Sequence, residues 1–150
     1  MQVIIEKHIE LKASVSRVWR AITDYRQFGQ WFRVHLEGPF LAGESTGGFI
    51  TWPGYEHLRL DVTVQKIEPE THFSFTWHPY AIDPRVDYTQ ETPTLVVFSL
   101  APTSTGTSLT IVESGFENIP PARLADAFRM NDNGWSQQLS NIETYVSQTP

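Results

Sequence analysis

Leu124, Phe128, Trp135, Leu139, Ile142 and Val146 follow one another at spacings of 4, 7, 4, 3 and 4 residues near the end of the chain. A period near 3.6 draws one apolar stripe along an α-helix. Asn131 falls on the same stripe, between Phe128 and Trp135. A helix of this length with one apolar face must bury that face against another layer. One long helix, or two collinear helices broken around Asn131–Gly134, satisfies the pattern. Pro120 and Pro121 suit its start, because a first-turn proline forfeits no needed donor. Gly134 is the anomaly. Glycine in a helix interior costs roughly 0.5–1 kcal/mol relative to alanine, and here it directly precedes Trp135. It lies about 100° around the helix from Trp135, beside Asn131, Gln138 and Asn141. Either the backbone approaches the covering layer there, or the missing side chain leaves room for a ligand.

The covering layer is written between Phe40 and Phe116, where the apolar period is two. HLRLDVTVQKIEP puts Leu58, Leu60, Val62 and Val64 on one face, HFSFTWHP does so for Phe73, Phe75 and Trp77, and TLVVFSLAP for Val96, Phe98 and Leu100. GESTGGFITWP holds a strand between Gly and Pro, and SLTIVESGF is the last strand. The turns PET and STGT are short enough to make neighbouring strands antiparallel. Upstream, Ile5, Lys7, Ile9 and Leu11 alternate with Glu6, His8 and Glu10, a strand whose apolar side is interrupted by Lys7. Ser14 suits the N-cap of a helix over VSRVWRAI ending near Asp24, and YRQFGQWF reads as a second short helical piece. The only long irregular stretch is YAIDPRVDYTQETP. The order predicts an α+β fold over residues 1–150 as a single domain. A curved antiparallel sheet wraps around a long C-terminal helix, with two short helices after the first strand. Such a sheet encloses space against the helix, which side chains fill or a ligand occupies.

Five Trp and nine Phe among 150 residues make the expected interior ring-rich. The formal net charge is -6 and no run of Lys or Arg appears, which argues against nucleic acid as a partner. The absence of cysteine excludes disulfides, thiolate nucleophiles and cysteine-held zinc or iron–sulfur clusters. No apolar run approaches the ~20 residues of a membrane span, and the charged, alternating N-terminus lacks a signal-peptide core. A cytoplasmic location is expected.

The candidate ligand-facing residues follow from the strand faces and the helix stripe. In FSFTWHPY, the rings of Phe73, Phe75 and Trp77 either line a pocket or pack the sheet face. Phe49, Trp52 and Phe98 are further ring candidates on strands, and Phe128, Gly134, Trp135 and Gln138 on the helix. Trp31 and Phe32, in FGQWFRV, cap a pocket entrance, form a partner-facing patch or anchor the second short helix. Glu113 lies two residues beyond Ile111 on the same strand side. If that side faces inward, it is a buried carboxylate, either transferring protons with a raised pKa or structurally hydrogen-bonded. It is the best acidic candidate for catalysis, though no partner base or GxSxG elbow accompanies it. His8, His35, His57, His72 and His78 form no HxH, HxxxH or HExxH pattern, so no metal site is expected. His35, His57 and His78 suit polar groups at a pocket. The loop from Asp83 to Glu91 reads as solvated surface, long enough to serve as a lid.

VWRAITD, FGQWF, GPFLAGE, FSFTWHPY, GTSLTIVESGF and NGWSQQLSNI, in this order along the chain, resemble the START-like helix-grip superfamily (SRPBCC). Within it they resemble the activator of heat-shock-protein-90 ATPase homologue family, of the C-terminal-domain type, which implies a helix-grip fold. WHPYAIDPRVDYTQETPTLVVF is similar to a bacterial subgroup whose members sometimes carry the label of a vanillate O-demethylase reductase. That chemistry needs flavin, nicotinamide and a cysteine-held cluster. This chain has no cysteine and no Gly-rich dinucleotide turn.

Three functions are therefore expected in order. The first is binding of a small apolar or aromatic ligand between sheet and helix. The second, implied by the resemblance, is regulatory interaction with a chaperone ATPase. Co-chaperones of that type carry an additional N-terminal domain, whereas this chain opens directly on the first strand. The third is a cyclase or hydrolase acting on an aromatic substrate, drawing on Glu113, His57 or His78. No cofactor is implied, and association as a homodimer is left open.

Overall fold

The computed structural model describes residues 2–148. The chain forms β1 (Ile4–Leu11), α1 (Val15–Thr23), α2 (Tyr25–Phe32), β2 (Val34–Leu36), β3 (Ser45–Ile50), β4 (Arg59–Glu68), β5 (His72–Trp77), β6 (Thr94–Pro102), β7 (Thr107–Ser114) and α3 (Pro121–Gln148). The sheet order is β1-β7-β6-β5-β4-β3-β2, and every pairing is antiparallel. β2 through β7 run as a meander, and β1 returns to pair with β7. Because β1 and β2 sit at opposite edges, α1 and α2 carry the chain across the sheet. This is the helix-grip arrangement: a curved seven-stranded sheet closed by one long helix.

Local chemistry fixes the elements. Ser14 caps α1 by accepting from Arg17 N at 3.1 Å. Asp24 ends α1 with its backbone N–H on Arg20 O, and it starts α2 by accepting from the amides of Arg26 and Gln27. A single residue thus forms the corner between two helices. The indole N–H of Trp31 donates to Ala21 O at 2.7 Å, tying α2 to α1. In β3, a Cβ on Gly48 would lie 1.7 Å from the carbonyl oxygen of His35, so glycine there lets β2 approach.

Two features depart from the sequence expectation. β2 is a three-residue strand, too short to show an alternation. In β4 the register shifts between Val64 and Lys66. Leu60, Val62 and Val64 face inward, Gln65 and Lys66 are both exposed, and Ile67 resumes the inner face. Leu58 precedes the strand. Such a bulge adds twist and bend to the strand.

α3 is one unbroken helix, so the break considered at Asn131–Gly134 is absent. Trp135, Leu139, Ile142 and Val146 are buried as the stripe requires. Leu124 and Phe128 are half-buried, and Ala127 is fully covered between them. Among the described residues, no helix is long and apolar enough to cross a membrane.

Candidate functional site

The inward residues of β7 are Thr107, Leu109, Ile111 and Glu113. The alternation that buries Ile111 therefore also buries Glu113, which has no exposed surface. A carboxylate taken from water without partners would cost several kcal/mol. Here four donors converge on it. Asn131 Nδ2 and Trp135 Nε1 each reach Oε1 at 2.8 Å. Trp77 Nε1 reaches Oε2 at 2.7 Å and Thr94 Oγ1 at 2.6 Å. Among the described residues no cation pairs with this carboxylate. The neighbouring Lys7 is held by Asp132 at 3.0 Å.

The placement follows from register. Thr94 opens the inner face of β6, and Trp77 ends that of β5 opposite it. Asn131 and Trp135 stand one helical turn apart on α3, so both point at the sheet. Each oxygen accepts two bonds, which uses the roughly four lone-pair positions of a carboxylate. The group holds the inner wall together and presents no open position to a substrate.

Most of the space between sheet and helix is filled. Phe73 contacts Phe40, Phe75 and Phe98, with ring centroids 5.0–5.9 Å apart, and Phe98 lies edge-on to Trp135 at 5.8 Å. Phe73, Phe75 and Phe98 are fully buried and line neither of the two open spaces at the Trp77 end. The open space lies at the Trp77 end. A small, half-open pocket of about 110 Å³ is lined by Phe32, Trp77, Asn131, Gly134, Trp135 and Gln138. A Cβ added to Gly134 would meet no atom within 4 Å. Of the two alternatives the sequence left open for Gly134, close approach of backbone and sheet is absent, and the space beside the glycine is open.

A larger groove of about 590 Å³ shares Phe32, Trp77 and Asn131 with this cavity. Its other walls are the His57–Asp61 stretch, Ile50 and the loop following β5. His57 and His78 both border it, as the sequence suggested for pocket histidines, whereas His35 lies exposed on β2. His78 Nε2 sits 3.0 Å from the carbonyl of Glu91, so that nitrogen carries the proton. The loop is not simply solvated. Arg123 of α3 bonds Glu91 at both carboxylate oxygens, donates to the carbonyls of Pro79 and Tyr80, and lies over the ring of Tyr88. Within the loop, hydrogen bonds from Arg85 hold the carboxyl of Asp83 below its usual range, and those from Thr89 do the same for Asp87. At the far rim, the Arg59 guanidinium lowers Glu37 and is itself raised by it.

The remaining candidates lie elsewhere. Trp31 is buried as the α2 anchor. Phe49 and Trp52 are exposed on the outside, with Arg59 and Arg33 over their rings. Phe128 packs on Phe116 at 5.3 Å. Thr94, Asn131 and Arg123 were not among the candidates. Only Asn131 gave a signal, as a polar residue on the apolar stripe. Among the described residues, no cluster of three His, Cys, Asp or Glu side chains is arranged to hold a metal.

The family described as Activator of Hsp90 ATPase homolog 1-like protein matches residues 12–147. No curated protein matches the sequence. Protein MLL2253 from Mesorhizobium loti is similar at 25% identity and a TM-score of 0.75, over 100% of this chain and 99% of that one. A protein from Arthrobacter aurescens, at 21% identity, gives a TM-score of 0.80 over 97% of this chain and 87% of its own. The Aha1 dimer from Colwellia psychrerythraea, at 17% identity, gives 0.73 over 96% of both chains. The last two likenesses concern the fold alone.

Proposed function

The chain belongs to the Activator of Hsp90 ATPase homolog 1-like family, and we propose that it binds a small, largely apolar, ring-bearing ligand at the Trp77 end of the sheet–helix seam. The observation that carries this reading is that two open spaces, one small and one large, adjoin the same three residues at this end of the seam. The inner cavity and the outer groove share Phe32, Trp77 and Asn131. A molecule entering from the surface therefore meets the stacked rings of Trp77 and Trp135, 5.6 Å apart, without displacing the Phe73–Phe98 core. The groove lies within the ~300–1,000 Å³ usual for ligand sites. Of the candidate residues, Trp77, Gly134, Trp135 and Gln138 would contact the ligand. Phe73, Phe75 and Phe98 would support it from behind, and Glu113 would fix the wall.

The test is a screen of ring compounds by 1H–15N shift perturbation. Binding moves the Gly134 amide and the indole N–H signals of Trp77 and Trp135. A panel that moves none of them at millimolar concentration ends this reading.

A second reading, regulatory contact with a chaperone ATPase or with a second copy of the chain, is favoured by the exposed Phe49, Trp52 and Tyr55 around the β3–β4 turn. The dimer described for the Colwellia protein is in keeping with self-association. Sedimentation of the chain alone, and ATPase turnover of a chaperone with and without it, separate the two forms. No change in either discards this reading.

A further inference from the structure

The inner cavity has two polar side chains on its wall, Asn131 and Gln138. Gln138 is engaged at both ends of its amide. Its Nε2 donates to Phe32 O at 2.9 Å, and its Oε1 accepts from Asn141 at 3.0 Å. Asn131 is engaged at one end. Its Nδ2 faces Oε1 of Glu113, and the orientation is chemically fixed: turning the amide over would set two acceptor oxygens 2.8 Å apart. Oδ1 therefore points away from Glu113. Among the described residues it accepts no hydrogen bond, and no buried side-chain oxygen or nitrogen is without a partner. Oδ1 thus reaches open space, and both cavities adjoin Asn131.

We propose that Asn131 Oδ1 sets the ligand class, so that the site takes an aromatic molecule carrying a hydrogen-bond donor, such as a ring N–H or a phenolic hydroxyl. This rests on the ligand-binding reading above. The rings of Trp77, Trp135 and Phe32 supply stacking and apolar contact without preference for polarity. The amide oxygen supplies the preference, because a donor pairs with it and an isostere without one leaves it dehydrated and alone. Glu113 acts here as a positioning residue. By accepting from Nδ2 it prevents the flip that would offer the cavity a donor instead.

The experiment is a paired titration with indole and benzothiophene, rings of nearly one shape that differ in N–H against sulfur. Binding is followed at the Gly134 amide in 1H–15N spectra. Indole is expected to bind about tenfold more tightly, the scale of one hydrogen bond to a dehydrated acceptor. Asn131→Leu is expected to abolish the difference between the two rings. Equal binding of the two rings to the unaltered protein overturns the Asn131 inference while leaving ring binding intact. An indole preference that survives Asn131→Leu overturns it as well. Failure of both rings to shift Gly134 removes the inference together with the reading beneath it. The comparison on the unaltered protein decides the matter even if Asn131→Leu does not fold.

Discussion

Trp77 and Trp135 stack at 5.6 Å with 29° between their planes, and their N–H groups donate to opposite oxygens of one buried carboxylate, that of Glu113. The pair joins β5 to α3 through a charge that neither residue carries. Replacing either Trp by Phe keeps most of the ring and deletes one donor. Each substitution is expected to lower unfolding free energy by about 1.5–3 kcal/mol, the range for hydrogen bonds to charged groups, as read from urea melts. A loss no larger than that of a surface substitution would show that the carboxylate is satisfied without the indoles.

Gly134→Ala is expected to stabilise the protein by about 0.5–1 kcal/mol, since the helix gains propensity and the new methyl meets no atom within 4 Å. Gly134→Leu would fill the cavity of about 110 Å³. It should leave a folded protein that no longer takes up ring ligands. Destabilisation by the alanine variant in thermal melts would mean that the space is closed in solution.

Arg123 is the strap on the loop after β5. Arg123→Met removes the pair with Glu91 and the anchors to the carbonyls of Pro79 and Tyr80. Trypsin cleavage after the exposed Arg85 is expected to quicken about tenfold or more, a local opening worth ~1.4 kcal/mol, with a smaller change in global melting. Arg123→Lys should fall between, because an ammonium lacks the planar fork. Unchanged cleavage would show that the loop stands without the strap.

The same loop should respond to acid. Folding lowers the carboxyl pKa of Asp83 and Asp87 through bonds from Arg85 and Thr89. Their contribution is present above the unfolded aspartate value of about 3.9 and is lost as pH falls through the lower folded value. The Arg85 and Thr89 amides, which donate to these carboxylates at 3.0 Å, should titrate with midpoints below about 3.9. Midpoints above that would mean that these turns are open in solution.

Much of this was legible in advance. Period-two alternation found the faces of β4 to β7, and the period near 3.6 found the buried side of α3. The step from Ile111 to Glu113 placed an acid on an inner face. What escaped had physical causes. β2 is too short to alternate. The β4 bulge changes the phase within one strand. The partners of Glu113 come from segments distant in sequence, so no local pattern groups Thr94 or Asn131 with it. Arg123 reads as an ordinary helix arginine until the loop is laid beside it. Gly134 drew notice as a poor helix residue, but only the packing separates a close approach from a void.

The four donors around Glu113 also bear on the order in which the chain folds. Two belong to strands, Trp77 and Thr94, and two to α3, Asn131 and Trp135. The meander can pair while α3 is still undocked, but the carboxylate then keeps water on the side that the helix will cover. Docking α3 and drying Glu113 are one event. Folding should therefore slow when either helix donor is removed, and much less when Thr94 is.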